Sequence, residues 1–347
     1  MTHRTETRFS HYDQQGLRRF WRSEFEEHGL KVTDTEDGSL YAEADFARVE
    51  LHSVGNECRI IIDAPDETIL PDIREGISHH MMEFAPDLPA LSWSGDFEPG
   101  GRPASFALAS VLNCEPLGAS WFRITLQASP NALQRFAGEN WHFRLLRPLD
   151  ASRPAVWPVV NTRGTIDWPK GDDELTDRVF TTRYLDQGQG TLTFDIFRHE
   201  GGPTSDWAAS NPAGQIVGLM GPGGKAGPAS KPKNYLIAGG DETAVPAVLR
   251  GLSGLPASCD ASITLLVGDE SDRQPIPSGI RVNWLYRAKG ATENKLVEAI
   301  TSVKPPLDRD CQIWFAASKS AARQVRDHGR DVLALPRRAV FSTAYWS

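Results

Sequence analysis

Tyr235-Leu236-Ile237-Ala238 runs without a break into Gly239-Gly240-Asp241-Glu242-Thr243-Ala244-Val245-Pro246, and this junction limits the possible folds more than any other stretch. Four residues of this kind bounded by glycines form a short buried strand. Paired glycines at a strand's carboxyl end let the backbone turn sharply and let a ligand come close. A proline deeper than the first turn of a helix costs about 3 kcal/mol. Thr243 is therefore the expected N-cap, because it leaves Pro246 in that first turn, whereas an Asp241 cap pushes the ring further inside. The free N–H groups of such a helix start face the sheet edge where α/β proteins hold ligands. The segment is not GxGxxG, so the common dinucleotide fingerprint does not apply, and spacing alone suits a purely structural turn equally well.

Beyond this junction, strands are expected at 262–267, 281–285 and 312–316, with helices at 244–252, 292–302 and 321–329. Short apolar strands alternating with helices predict a parallel sheet covered on both faces. Residues 105 to about 221 read differently, as breaker-flanked strands at 106–112, 121–127, 142–147 and 191–199. In the last of these Leu192, Phe194 and Ile196 share one face, while Thr193, Asp195 and Phe197 share the other. A closed or nearly closed antiparallel barrel suits this pattern. The first 94 residues predict a small α+β domain, with helices at 15–28 and 71–84 and hairpin strands at 39–42, 47–53 and 58–63. Gly/Pro-rich connections at 95–104 and 221–234 give expected boundaries of 1–94, 105–230 and 231–347.

Bulk properties exclude several alternatives. At 347 residues the chain is too long for one core. A formal charge of −8 argues against broad nucleic-acid or anionic-membrane binding. No apolar run approaches a bilayer span, and the polar start MTHRTETRFSHYDQQ argues against a secretory signal, so a cytoplasmic location is expected. Cys58, Cys114, Cys259 and Cys311 are widely spaced, without a CxxC pair, and read as reduced, mostly buried thiols.

GDETAVPA closely resembles the GDETAxPA signature of the siderophore-interacting protein family, flavin-dependent ferric-siderophore reductases. Arg178-Val179-Phe180-Thr181-Thr182-Arg183 is similar to that family's RxYTxR. Between the two lie Asp195-Ile196-Phe197-Arg198-His199 and Gly202-Pro203-Thr204-Ser205-Asp206-Trp207-Ala208. Gly221-Pro222-Gly223-Gly224 and Tyr345-Trp346 complete the set, in the family's order, across about residues 105–347. Residues 1–94 resemble a small domain sometimes found before such reductases.

The resemblance implies a ferredoxin-reductase-like pair of domains, a flavin barrel and a nicotinamide-binding sheet. FAD is the implied cofactor, NADH or NADPH the electron donor, and a ferric siderophore the substrate. Arg178, Phe180 and Thr181 then hold the flavin, with Phe180 standing where the family usually has Tyr. His199, Gly202, Thr204 and Ser205 serve the dinucleotide, and Trp207 either covers the cofactor or fills the core. Gly240, Asp241, Glu242 and Thr243 border the nicotinamide, with Thr243 closest and Glu242 expected as a solvated first-turn acid. Trp346 stacks near the isoalloxazine until nicotinamide displaces it, or else is tucked into the core. Lys319 and Arg323, together with Arg326, Arg330, Arg337, Arg338, Lys225, Lys231 and Lys233, offer a basic wall to an anionic siderophore or to a 2′-phosphate. The chemistry requires no metal ligand from the protein. One departure stands out: the family commonly shows Gly-Glu where this chain has Ala317-Ser318-Lys319. Two rival readings are a flavin reductase for another acceptor, and a siderophore- or flavin-binding module without turnover.

Overall fold

Thr5 and Thr7 lie buried on the first strand, their hydroxyls donating to the carbonyls of Ser94 and Ser92 at 2.6 and 2.8 Å. That is why a stretch so polar is nonetheless β1 (His3–Ser10). The computed structural model describes every residue except 1, 12, 28, 29, 96, 139, 151, 224–233, 307 and 347. After β1 come α1 (Gln14–Glu27), β2 (Lys31–Asp34), β3 (Leu40–Ala44), β4 (Ala47–Val54), β5 (Glu57–Ala64), α2 (Leu70–Phe84) and β6 (Trp93–Gly95). The strands form one antiparallel sheet in the order β2-β3-β4-β5-β1-β6. Leu17, Trp21 and Phe25 of α1, with Ile77 and Met81 of α2, pack against Leu40, Val49, Ile60 and Ile62 of the sheet. Both predicted helices and all three predicted strands are present here. β1, β2 and β6 were not foreseen, because their buried positions are too few or too polar to show a hydrophobic period.

The next stretch contains β7 (Phe106–Leu117), β8 (Trp121–Gln127), α3 (Pro130–Leu133) and β9 (His142–Pro148). A two-stranded hairpin follows, β10 (Val159–Val160) with β11 (Ile166–Asp167), and then β12 (Leu175–Asp186), β13 (Thr191–Phe197), α4 (Pro203–Ala209) and β14 (Ile216–Gly223). Six of these strands close a barrel in the order β12-β13-β8-β7-β14-β9. Leu192, Phe194 and Ile196 face its core, as their alternation predicts. Asp195, on the opposite face, is also buried, because it is ion-paired with Arg123. The chain divides into two compact units, one made of residues 1–106 and 147–176, the other of 107–146 and 177–347. The hairpin β10–β11 therefore belongs with the N-terminal sheet. Within that unit Gly100 N–H donates to the Val160 carbonyl at 2.7 Å and Val160 N–H to Gly101 at 2.9 Å.

In the second unit the barrel is followed by β15 (Tyr235–Gly240), α5 (Val245–Leu252), β16 (Asp260–Val267), β17 (Val282–Tyr286), α6 (Glu293–Thr301), β18 (Cys311–Ser318), α7 (Lys319–Asp327) and β19 (Val340–Trp346). All five strands run parallel in the order β17-β16-β15-β18-β19. The order reverses between β15 and β18, and the crevice at their carboxyl ends is where such sheets bind ligands. Every residue of β18 is buried, which explains its uninterrupted apolar pattern. Asp272 ties the two halves of this unit together, accepting from the N–H groups of Ala119 and Ser120, each at 2.9 Å, and from the Ser120 hydroxyl at 2.5 Å. All four cysteines are free, and burial pushes the Cys311 thiol up to about 11. Among the described residues no helix is long and apolar enough to cross a membrane.

Candidate functional site

Strand β12 presents the first group of predicted residues. Arg178 is exposed, and one guanidinium N–H donates to the Asp177 carbonyl at 2.8 Å. Phe180 is half-buried, its inner side against Phe194 and Phe143 at ring-centre distances of 5.1 and 6.4 Å. Thr181 is buried, with its hydroxyl 3.3 Å from Nδ1 of His142. The neighbouring Thr182 hydroxyl and Trp141 indole N–H are buried without a hydrogen-bond partner among the described residues. Burial holds His142 far below the ordinary imidazole value, at about 4, so its ring is neutral near pH 7.

The end of β13 and the start of α4 carry the second group. His199 is exposed, and its backbone N–H donates to Ser205 Oγ at 3.0 Å. Its ring lies against Gly202, where a Cβ would come within 2.2 Å of Cε1, so any larger residue would push the imidazole aside. Ser205 is buried and donates its hydroxyl to the Phe197 carbonyl at 3.1 Å. It therefore shapes the loop and does not offer a free hydroxyl, in contrast to the sequence expectation. Thr204 is half-buried beside it. Trp207 belongs to the barrel core, with its indole N–H on Gln215 at 2.8 Å, which decides between the two roles open to it.

At the carboxyl end of β15 the structure corrects the expected cap. Helix α5 starts at Val245 behind Ala244, which makes no side-chain cap, and Pro246 does sit in its first turn. Thr243 does not cap. Its N–H and hydroxyl instead donate to Asp241 Oδ1 at 3.0 and 2.6 Å. Asp241 wins this contest because a carboxylate at the turn's first position can accept both donors at once. The second carboxylate oxygen, Oδ2, accepts the indole N–H of Trp346 at 2.6 Å. Asp241 is 1% exposed, and burial raises its carboxyl above the usual range against the pull of these donors. Gly240 is required, since a Cβ there would lie 2.2 Å from the Ala316 carbonyl oxygen.

Glu242 is not a solvated acid, because it is 4% exposed and forms a two-bond pair with Arg287 at 2.6 and 2.9 Å. Its backbone carbonyl accepts the indole N–H of Trp121 at 3.2 Å, joining the barrel to the turn. Arg287 and Trp121 were missed in the sequence because no motif or local period links them to Glu242. Trp346 is 46% exposed and Tyr345 beside it is half-buried, packed against the core of the sheet with its ring edge-on to His142 at 6.2 Å. The core position thus falls to Tyr345, and the indole stays at the crevice.

The Ala317-Ser318 departure lies at the end of β18. Ala317 is fully buried, and Ser318 caps α7 by accepting from Ala321 N–H at 3.2 Å. Ser318 also donates its hydroxyl and N–H to the carboxylate of Glu293 at 2.8 and 3.2 Å. Helix α6 therefore brings a carboxylate to this strand end although the strand's own sequence lacks one. Lys319 and Arg323 are exposed on α7, Arg323 within 3.6 Å of Asp327. Arg330, Arg337 and Arg338 are exposed and Arg326 is half-buried. Gly224, Lys225, Lys231 and Lys233 lie outside the described residues.

This set suits a flavin dinucleotide: an accessible arginine, a half-exposed phenyl face, an imidazole lying against a glycine, and orphaned buried donors beside Thr181. Comparison with known proteins agrees. The sequence profile of the siderophore-interacting FAD-binding domain matches residues 110–226, and that of the siderophore-interacting protein matches residues 232–347. The ferric vibriobactin reductase ViuB of Vibrio cholerae is 27% identical over 212 residues, 59% of this chain and 76% of that protein. The NADPH-dependent ferric-chelate reductase of Escherichia coli is 27% identical over 250 residues, 70% of this chain and 92% of that one. Among solved structures, the siderophore-interacting protein SipS from Aeromonas hydrophila superposes with a TM-score of 0.58 at 26% identity, covering 72% of this chain and 92% of SipS. A siderophore utilization protein from T. fusca gives 0.57 at 24% identity, covering 70% and 92%. With a barrel and a parallel sheet in the right order, and a profile matched on each, this chain belongs to the siderophore-interacting protein family.

Proposed function

We propose that this chain is a flavin-dependent reductase that uses NADH or NADPH to release iron from ferric siderophores in the cytoplasm. The observation that carries this reading is the docking of the two half-sites, in which Trp121 of the barrel donates to the Glu242 carbonyl at the carboxyl end of β15. That contact joins the barrel bearing Arg178, Phe180 and Thr181 to the turn bearing Asp241. A bound FAD would supply hydride acceptance from the nicotinamide and single-electron transfer to Fe(III), whose reduced form is held less tightly by hard oxygen donors. The protein's residues position and shield. Arg178 offers a guanidinium fork to the pyrophosphate, and Phe180 offers an apolar face to the ring system. His199 and the loop from Gly202 to Ser205 contour the dinucleotide channel. Lys319 and Arg323 face an anionic ferric complex. Trp346, tethered to Asp241, covers the crevice that nicotinamide enters.

Two measurements test these roles. Arg178→Ala is expected to weaken FAD about 10- to 100-fold, the worth of one charge-assisted contact, as read by fluorescence titration of the apoprotein. Rapid mixing of the FAD-loaded protein with NADH or NADPH should bleach the flavin, and ferric siderophore should then restore it. No bleaching by either nucleotide ends the reductase reading.

Trp346→Phe keeps an aromatic ring and removes the N–H that binds Asp241. Its expected effect is a KM for the nicotinamide nucleotide lower by about tenfold, because displacing the ring no longer breaks a hydrogen bond to a carboxylate. An unchanged KM shows that the tether does not gate the crevice.

A further inference from the structure

Arg183 and Asp195, the last and first residues of two of the motifs, take no part in the site above. They meet on the outer face of the barrel. Strand β12 carries a bulge between Thr182 and Tyr184, and Arg183 is its extra residue. A bulge re-aims the side chain it contains, and here the guanidinium is brought 3.6 Å from Asp195. Asp195 already holds Arg123 by two bonds at 2.7 and 2.9 Å. Arg250 reaches over from α5 and donates to the Arg183 carbonyl at 3.4 Å. Among the described residues Asp195 is the one carboxylate ion-paired with Arg123 and Arg183, and Arg250 makes no ion pair, so the three arginines carry two positive charges in excess.

The excess charge is poorly hydrated. The Arg183 side chain is 2% exposed and that of Asp195 0%. Among the described residues Nε and Nη1 of Arg183 make no hydrogen bond, and neither does Nε2 of Gln274, whose Oε1 accepts from Arg123 at 3.2 Å. Tyr184 stacks beneath two of the guanidinium groups, 5.2 Å from Arg123 and 4.8 Å from Arg183, and is 45% exposed, so the cluster opens to solvent on that side. Water would supply acceptors for the orphaned donors but would leave the charge unbalanced. An anion supplies both.

We propose that Arg123, Arg183, Arg250 and Gln274 form a binding site for a phosphate-type oxyanion, bridging the barrel and α5. The planar forks of arginine match tetrahedral oxyanions in two-bond geometry, and a dianion balances the excess charge. An occupant touching β12, α5 and the segment after β16 also fastens the two halves of the unit to one another. Phosphate capture here stands whether or not the flavin turns over.

Titration calorimetry of the full chain as purified, with inorganic phosphate at constant ionic strength, tests the site. The expected result is saturable binding of one phosphate per chain, weakened about tenfold in Arg250→Gln and abolished in Arg183→Gln. Lys304→Gln, an exposed position with the same charge change, should bind as the parent does. Arg250 is half-buried and its hydrogen bond to the Arg183 carbonyl is long, at 3.4 Å, so its variant is informative even if Arg183→Gln does not fold. Repeating the titration with saturating NADPH identifies the source: loss of phosphate binding assigns the site to a phosphate of the nucleotide, and unchanged binding assigns it to free oxyanion. Absence of saturable binding, or equal affinity in Arg250→Gln and the parent, overturns the proposal.

Discussion

Asp195→Ala is expected to destabilise the protein by about 3–5 kcal/mol, the cost of removing one partner from a buried ion cluster. The loss comes less from broken bonds than from what they leave behind. Arg123 and Arg183 both rely on this carboxylate, and Arg183 has almost no access to water. Without it, three arginines face one another across the barrel wall and α5. Burial and the charges of Arg123 and Arg250 already depress the Arg183 guanidinium, so the repulsion is present even in the parent. Denaturant unfolding curves check the value. A second substitution, Arg183→Met, should recover much of the loss in the Asp195→Ala background, because it removes a buried charge and fills the space with an apolar chain. A single-variant change below about 0.5 kcal/mol, the ordinary size for surface sites, contradicts this account of the cluster.

Acid sensitivity centred on His142 is the second large expectation. Its folded-state value is about 4, against an unfolded value near 6.5, so below pH 6.5 the unfolded chain binds a proton that the folded chain refuses. The sign follows directly. Stability carries no penalty from this residue above pH 6.5, declines as the pH falls toward 4, and is flat again below it. The full penalty is about 3 kcal/mol at 1.36 kcal/mol per pH unit. In His142→Gln, which cannot take the proton, the decline between pH 6.5 and 4 should be shallower by that amount. Parallel unfolding curves at several pH values decide it. Equal slopes in parent and variant would mean that His142 is reached by solvent when charged. Because His142 touches Thr181 and Tyr345, acid charging of this ring also disturbs the β12 wall and the residue before Trp346.

Much of the architecture could be read along the chain. The alternation of Leu192, Phe194 and Ile196 marked a barrel strand because one face of β13 is solvent-free. The apolar runs at β15, β16 and β18 marked a parallel sheet because both their faces are covered. Other parts could not be read this way. β1 shows no apolar period because Thr5 and Thr7 hold its inner face through hydroxyl bonds to distant carbonyls. Glu242 looked like a surface acid because its neighbour in sequence is a helix start, whereas its neighbour in space, Arg287, comes from the end of β17. Residues 147–176 gave no sign that they pack with the first 106.

Sequence by itself determined the strands and helices with a clear apolar period, the sharp Gly239-Gly240 turn, the position of Pro246 in the first turn of α5, and the family's motifs in their order. These are local matters, settled by the spacing of apolar residues and by backbone sterics within a few positions. Tertiary structure alone decided which charge meets which. Asp241 accepts from Thr243 and Trp346, Glu242 takes Arg287, Ser318 takes Glu293, and Asp195 gathers Arg123 and Arg183. Apart from the Thr243 bond, each of these pairs closes a loop of 12 to 105 residues. Side-chain period records only which face a residue takes, and the partner on that face is set by strand order and helix placement.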